Sequence, residues 1–224
     1  MLLDSVGQTF RKLVLFGNIK FDMVAVTLDL GFGGQQTDYS ALEKLFAEHG
    51  IEYVVKRTEI GEIIFDQRKE SNPCSLCARM RRGALHDVTK ELGCNKIALG
   101  HHFSDVIETT VMAMFYGSQL QGMIPKLKST NYEGMELIRP LYCVHEDDII
   151  AWTRYNGLRF IQCACRFTDA KFVEETGGTK RQEIKELIRE LKKTNPNIEK
   201  SIFNSLHRVH LDTFVGFKTK GKEY

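Results

Sequence analysis

Two cysteines three positions apart carry the strongest chemical signal in the sequence. Cys74 and Cys77 lie in the run Pro73-Cys74-Ser75-Leu76-Cys77. Two thiolates at this spacing can converge on one metal ion or one iron–sulfur cluster. The residues that follow are predicted to form a helix, whose N-terminus favours anions such as thiolates. The sequence therefore predicts a soft-metal site at the start of this helix.

A second cysteine pair, Cys163 and Cys165, follows a strand predicted over residues 160–162. Three or four thiolates drawn from the two pairs fit either zinc or an iron–sulfur cluster. The alternative is two unrelated pairs, but their positions at element ends favour a shared site. Cys94 and Cys143 have no comparable neighbour and are predicted to be small core residues.

A polar turn follows the short apolar strand that comes after the cysteine helix. The turn contains Gly100, His101 and His102, and Asp105 opens the next helix. In doubly wound sheets, ligands bind beyond the carboxyl ends of the strands. Helix N–H groups there favour phosphate, and Asp105 is suited to hold Mg²⁺ that bridges phosphates. The alternative is that Asp105 only complements the helix dipole and both histidines are turn residues.

Two groups of basic residues could contact an anionic partner. Arg79, Arg81 and Arg82 follow the first cysteine pair and fit either RNA phosphates or a solvated helix face. The net charge of +2 does not decide between these. The second group is interleaved with glutamates on the C-terminal helices, which indicates a salt-paired surface. Its members are Lys180, Arg181, Lys185, Arg189, Lys192 and Lys193.

Length and composition limit the kind of protein. A chain of 224 residues, 42% of them hydrophobic, can bury one good-sized core. No apolar run is long enough for a signal peptide or a bilayer span, so we expect a cytoplasmic protein with no membrane partner. Six cysteines are too few for a disulfide scaffold of this size.

Strands and helices are predicted to alternate along the chain, which favours an α/β fold with a doubly wound parallel sheet covered on both faces. Strands are predicted over residues 23–28, 52–55, 96–99, 137–138 and 160–162. Helices are predicted over residues 4–16, 39–49, 60–69, 76–92, 105–116, 146–156, 180–193 and 198–210, with a loop-rich connection over 117–136. We expect one α/β domain over residues 1–170 and a helical extension of the same domain over 171–224.

The motifs together resemble those of the PP-loop ATPases that thiolate tRNA, in particular the tRNA-cytidine 2-sulfurtransferases. The resemblance runs from about Val24 to the C-terminus and implies an adenine nucleotide alpha-hydrolase-like fold. It rests on the following segments: Pro73–Cys77 with the three arginines and Gly83, Ile97–His102 with Asp105, Phe115-Tyr116-Gly117, Ile138-Arg139-Pro140-Leu141, and Cys163.

The resemblance implies a transferase that uses ATP to adenylate the C2 oxygen of a cytidine in the tRNA anticodon loop, at position 32 in the family. A sulfur atom then displaces AMP. The family carries a [4Fe–4S] cluster on three cysteines, which leaves one iron open to the incoming sulfur. The implied partners are tRNA and a sulfur donor such as a cysteine desulfurase, and the family is often homodimeric.

The resemblance also implies roles for individual residues. Cys74 and Cys77 match two cluster ligands, and Cys163 best matches the third. The family's third ligand begins a Cys-x-x-Cys, whereas this chain has Cys163-Ala164-Cys165, so Cys165 is kept as the alternative. The turn from Gly100 to Asp105, with His101 and His102, matches the segment that closes over ATP. Leu28 and Asp29 match the strand end near the adenine.

The family's Ser-Gly-Gly-x-Asp-Ser phosphate loop has only a remnant in this sequence, Asp4 and Ser5, with Leu3 where lysine is usual. The first strand of the family pattern has no match either. A sheet without its central strand would leave buried backbone groups unpaired, at about 1–3 kcal/mol each. We therefore expect upstream in-frame codons to encode the strand and the loop.

Two competing functions remain open at this stage. One is a related PP-loop thiolase with a different RNA target, because arginines recognise phosphate and shape rather than a base. The other is a non-catalytic RNA-binding protein with a structural zinc on the two cysteine pairs.

Overall fold

The computed structural model describes residues 21–31, 37–68, 73–158, 179–219 and 222–223. Several sequence predictions lie outside these ranges: the helix over 4–16, the strand over 160–162, and the candidate site residues Asp4, Ser5, Cys163 and Cys165. The division into domains at residue 170 likewise remains a prediction.

Four strands of the described residues form two parallel pairs, as expected. β1 (Val24–Asp29) pairs in parallel with β2 (Glu52–Arg57), from Val24 opposite Glu52 to Asp29 opposite Arg57. β3 (Lys96–Ala98) pairs in parallel with β5 (Glu136–Ile138). Within the described ranges, no ladder joins the β1–β2 sheet to the sheet that contains β3 and β5.

An antiparallel edge strand was missed by the sequence analysis. β4 (Lys126–Lys128) lies within the predicted loop and pairs with β5, which gives the order β3-β5-β4. All three of its residues are exposed, so it lacks the apolar run or alternation that marks a buried strand. Lysines are also common on sheet edges because they discourage pairing with other chains. A two-stranded antiparallel hairpin, β6 (Lys218–Thr219) and β7 (Lys222–Glu223), lies near the C-terminus.

The helices follow the predictions with shifts of a few residues at their ends. A short α-helix, α2, continues as a π-helical turn over Ile63–Arg68 where a regular helix was expected. In order, the helices are α1 (Ser40–Glu48), α2 (Ile60–Glu62), α3 (Pro73–Glu91), α4 (Phe103–Gly117), α5 (Glu146–Tyr155), α6 (Lys180–Thr194) and α7 (Ile198–His207). Leu211–Thr213 forms a short 3₁₀ turn.

Two of these shifts matter for the site. α3 begins at Pro73, because proline is favoured in the first turn, where its missing N–H leaves no hydrogen bond unmade. Cys74 therefore lies inside the helix together with Cys77, rather than before it. α4 begins at Phe103, so Asp105 is the third residue of the helix and can cap its N-terminus.

Two apolar clusters hold these elements in place. Ile60 and Ile64 pack with Leu76 of α3, and Cys77 and Leu30 contact the same cluster. The second cluster joins α4 to α6. Its buried members are Phe103, Ile107, Val111, Ile184 and Ile188. Each fully buried side chain of this size contributes about 1.5–3 kcal/mol. In the described part of the chain, no helix has both the length and the apolar character needed to cross a bilayer.

Candidate functional site

The ends of β3 and β5 lie side by side. The amide of Leu99 donates a hydrogen bond to the carbonyl of Ile138 at 3.0 Å, which extends the parallel pairing beyond β3. Because the two strands are parallel, their carboxyl ends meet at the same edge, where ligands bind in this class of sheet. The turn that begins at Gly100 therefore lies beside Arg139, the residue after β5.

The turn is closed by Asp105, as its position at the start of the helix predicts. Asp105 Oδ2 accepts a hydrogen bond from the His102 amide at 3.1 Å and lies 3.3 Å from His102 Nε2. This hydrogen bond satisfies the amide of the N-cap residue His102, which has no partner within the helix. The structure thus brings together His102 and Asp105, two of the predicted site residues.

Several buried nitrogen atoms at this edge have no hydrogen-bond partner among the described residues. They are Nδ1 of His101, Nδ1 of His102 and Nε of Arg139. Burial lowers the pKa of His101, although the nearby Asp105 carboxylate opposes this shift. Burial also lowers the pKa of Arg139, and the positive charge of Arg82 adds to that effect. Buried polar groups are normally paired, so the unpaired Nε–H donor of the Arg139 guanidinium suits an anionic ligand.

Arg139 itself is anchored by backbone groups. Its Nη1 donates to the carbonyl of Ile124, and its amide donates to the carbonyl of Pro125 at 2.9 Å. Arg139 makes no ion pair with a carboxylate within the described ranges. A half-buried arginine of this kind keeps its positive charge available to a ligand. The sequence places Arg139 in the motif Ile138-Arg139-Pro140-Leu141 but indicates no role for it.

The cysteine pair lies in the first turn of α3. Cys74 is exposed, and Cys77 is half-buried beside Leu30 and Ile60. Residues three apart on a helix share one face, so both thiols point to the same side. Since Leu30 directly follows β1, the thiols lie near the carboxyl end of that strand.

Hydrogen bonds fix the chain at Asp29, the last residue of β1. Asp29 is 7% exposed, and its Oδ1 accepts from the Gly31 amide at 3.1 Å. Its Oδ2 lies 3.8 Å from Nη1 of Arg57, and its carbonyl accepts from the Thr58 amide at 2.8 Å. The carboxylate therefore shapes the turn after β1. The expected closeness of Leu28 and Asp29 to an adenine remains a prediction.

The three arginines of α3 are all exposed. Arg82 lies near enough to Arg139 to affect its pKa, which connects this helix face to the end of β5. The three arginines of α3 and Arg139 are together called the basic surface, which runs from α3 toward the polar turn. Contact with RNA by Arg79, Arg81 and Arg82 remains a prediction.

Arg181 and Lys185 form their ion pairs with carboxylates on helices other than α6. Arg181 of α6 reaches α4, where its Nη1 lies 2.6 Å from Asp105 Oδ1 and 3.3 Å from Glu108 Oε2. Lys185 donates to Glu146 of α5 at 2.8 Å. Burial raises the pKa of Glu108, and both cations oppose that shift.

Comparison with known proteins agrees with this geometry. A PP-loop domain model matches residues 11–169. The tRNA-cytidine(32) 2-sulfurtransferase of Citrifermentans bemidjiense is 36% identical over 194 residues, which cover 86% of this chain and 72% of the relative. The enzyme of the same name from Syntrophotalea carbinolica is 38% identical over 193 residues, or 85% and 71% of the two chains. This chain belongs to the PP-loop tRNA-cytidine(32) 2-sulfurtransferase family.

A solved structure supports the fold of this sulfurtransferase family member. The U34-tRNA thiolase NcsA from Methanococcus maripaludis, solved with its [4Fe-4S] cluster, matches with a TM-score of 0.65 and 24% identity. The match covers 84% of this chain and 63% of the thiolase chain, so the chain spans less than two thirds of that protein. The likeness confirms the α/β, adenine nucleotide alpha-hydrolase-like fold.

The donor atoms of this family member fit part of an iron–sulfur site. Two thiols on one helical turn supply two ligands, and the predicted third ligand, Cys163 or Cys165, lies outside the described residues. Within the described ranges, no group of three or more His, Cys, Asp and Glu side chains is arranged to hold a metal ion. The described residues thus include two of the three predicted cluster ligands, and the third remains a prediction.

Proposed function

We propose that the protein is an ATP-dependent tRNA sulfurtransferase that converts cytidine to 2-thiocytidine at position 32 of the anticodon loop. The names of the relatives support this substrate and product. The observation that carries the proposal is the placement of two sites at strand carboxyl ends. The thiol pair of α3 lies near the end of β1, and the capped turn before α4 lies at the end of β3.

ATP binds, in this proposal, across the carboxyl ends of the strands. The amides of Gly100 and His101 contact the nucleotide, and the Asp105 carboxylate holds Mg²⁺ on the phosphates. The adenine lies near Leu28 and Asp29. Asp4 and Ser5 contribute to phosphate binding as remnants of the glycine-rich loop.

The cluster is held by Cys74, Cys77 and a third thiolate, Cys163 or Cys165. When bound, a [4Fe–4S] cluster on three thiolates supplies one open iron to which a sulfur atom can bind. Cys77 contributes from a half-buried position, and the exposed Cys74 faces the solvent side, where sulfur arrives.

The tRNA is bound through its phosphates by Arg79, Arg81 and Arg82, with Arg139 at the end of the same basic surface. Phosphate contacts of this kind position the substrate, and the target base is selected by the pocket around it. A cysteine desulfurase supplies the sulfur in the cytoplasm. A homodimer is the assembly expected from the family resemblance.

A direct product assay tests the function. The anaerobically purified protein is incubated with MgATP, a tRNA transcript, cysteine and a cysteine desulfurase, and the digested nucleosides are identified by mass spectrometry. We expect 2-thiocytidine only when ATP is present, none from Cys74→Ser, and normal amounts from the matched control Cys94→Ser. A thiouridine product would indicate another RNA target. A colourless protein that holds stoichiometric zinc and forms no thionucleoside would contradict the proposal.

A further inference from the structure

Arg181 connects the C-terminal helices to the capped turn at the start of α4. It lies in the first turn of α6, after the N-cap Thr179, whose hydroxyl accepts a hydrogen bond from the Gln182 amide. Its guanidinium reaches one face of α4: Nη1 contacts Asp105 and Glu108, and Nη2 donates to Thr109 Oγ1 at 3.1 Å. α6 lies beyond residues 11–169, so the matched PP-loop domain does not include this arginine.

The position of Arg181 is set by buried packing rather than by a surface ion pair. Ile184 and Ile188 follow it at helical spacing, are 1% and 5% exposed, and pack against Phe103 and Ile107 of α4. Because these contacts fix α6 against α4, the backbone of Arg181 is held opposite Asp105. A rigid, planar guanidinium also holds its partners in a defined orientation.

The acceptor sites of Asp105 are nearly all used. An ionised carboxylate offers about four lone-pair sites. Oδ2 takes the His102 amide and lies within 3.3 Å of His102 Nε2, and Oδ1 takes Arg181. One site on Oδ1 is left, in an orientation that both neighbours hold fixed.

We propose that Arg181 is a positioning residue that presents the remaining acceptor site of Asp105 to the divalent cation carried by ATP. This inference rests on the proposed function, in which Asp105 holds Mg²⁺. The arrangement thus gives a role in nucleotide binding to a C-terminal residue that was predicted to belong to a salt-paired surface. Arg181 acts through Asp105 and does not itself touch the metal.

Because Arg181 is positively charged, the direction in which metal affinity changes on its removal distinguishes its possible roles. A cation beside Asp105 repels a metal ion, so its removal would tighten metal binding if the arginine had no orienting role. If orientation dominates, removal weakens metal binding instead. A purely structural role would lower thermal stability without weakening the binding of the metal in the fraction that is folded.

The test measures Mn²⁺ binding by electron paramagnetic resonance in the presence of ATP, with ATP binding in EDTA measured in parallel. Variants Arg181→Met, Asp105→Asn and the double variant are compared with Lys193→Met, which changes an exposed ion pair on the same helix. We expect Arg181→Met to weaken Mn²⁺ binding at least tenfold and to leave metal-free ATP binding unchanged. The double variant should bind Mn²⁺ no more weakly than Asp105→Asn, and Arg181→Lys should restore part of the loss.

Equal or tighter Mn²⁺ binding by Arg181→Met overturns the inference, as does a double variant in which the two losses simply add. A parent protein that binds no Mn²⁺ with ATP also overturns it. The outcome is independent of the product assay. If Arg181→Met binds Mn²⁺ more weakly and the parent protein forms no 2-thiocytidine, the inference is supported and the proposed function is rejected. If Arg181→Met binds Mn²⁺ as the parent does and the parent forms 2-thiocytidine, the inference is rejected and the proposed function is supported.

Discussion

The amide of Leu99 donates to the carbonyl of Ile138 at 3.0 Å, and this bond aligns the ends of two parallel strands. Leu99 precedes the polar turn, and Ile138 precedes Arg139. The alignment therefore places a half-buried guanidinium beside the segment predicted to contact ATP. Because Arg139 has no carboxylate partner within the described residues, its charge is available to phosphate groups.

Replacement of Arg139 by glutamine should weaken anion binding more than it weakens the fold. Hydrogen bonds to charged groups are worth about 1.5–3 kcal/mol, so we expect a loss of about 10- to 100-fold in affinity for ATP, tRNA or both. Calorimetry with ATP and filter binding with a tRNA transcript separate the two ligands. The matched control is Lys90→Gln, which changes a basic residue in the last turn of α3. Unchanged affinity for both ligands in Arg139→Gln would remove this residue from the site.

The contact between α4 and α6 should be a major source of stability. Ile184 is 1% exposed and lies in the cluster with Phe103 and Ile107. Ile184→Ala should reduce the free energy of unfolding by about 2–5 kcal/mol, because it removes buried methyl groups and leaves a cavity. Leu191→Ala, on the same helix but 41% exposed, should cost about 0.5 kcal/mol or less. Urea unfolding measures both, and equal losses would argue against a tightly docked α6.

Glu136 should make stability depend on acid pH. It accepts from Lys96 at 2.6 Å and lies 2.9 Å from Lys126, so it joins three strands. The hydrogen bond from Lys96, followed by that from Lys126, lowers the pKa of Glu136 from 4.5 to about 2. A lowered pKa means that the stabilisation is complete above the unfolded pKa and is lost as the pH falls through 4.5 toward 2.

We therefore expect the parent protein to exceed Glu136→Gln in unfolding free energy at pH 7, and the difference to shrink as the pH falls from about 5 to 3. Urea unfolding at several pH values gives the comparison. A difference that is the same at pH 7 and at pH 3 would show that these lysines do not stabilise the ionised carboxylate.

The turn after β1 should require glycine at position 31. Gly31 has a φ of +69°, and a Cβ atom there would lie 2.7 Å from the carbonyl oxygen of Thr58. Gly31→Ala should therefore destabilise the protein by about 1–3 kcal/mol. Gly83→Ala is the control, since a Cβ in the middle of α3 meets no atom within 4 Å. It should stabilise the helix by about 0.5–1 kcal/mol. Thermal unfolding that ranks the two variants in the opposite order would contradict this account.

Much of the fold could be predicted from the sequence because its signals are local. Apolar runs marked β1, β2 and β3, and helical spacing marked the cysteine helix and both C-terminal helices. β4 could not be predicted in this way, since Lys126 and Lys128 flank a single exposed leucine and the strand is defined only by its partner β5. Pairing between distant segments leaves little trace in such short, exposed sequences.

The candidate site was predictable where its chemistry is concentrated in a motif. Cys74 and Cys77 were predicted from residue type and spacing, and His102 and Asp105 from their place after an apolar strand together with the family resemblance. Arg181 was missed because its partners are more than 70 positions away, as with Asp105 at a separation of 76. A signal was present, however: Arg181 lies in helical register with Ile184 and Ile188, on the apolar stripe rather than the polar face.

The central claim is that Cys74 and Cys77 share one iron–sulfur cluster with a thiol from the second cysteine pair. Anaerobic reconstitution, followed by iron and sulfide analysis and visible absorption spectroscopy, tests it in the single variants Cys74→Ser, Cys77→Ser, Cys163→Ser and Cys165→Ser. Cys94→Ser and Cys143→Ser are the controls. The account predicts about four irons in the parent and in both controls, and loss of the cluster in Cys74→Ser, Cys77→Ser and one variant of the second pair. A full cluster in Cys74→Ser, or in both Cys163→Ser and Cys165→Ser, would contradict it.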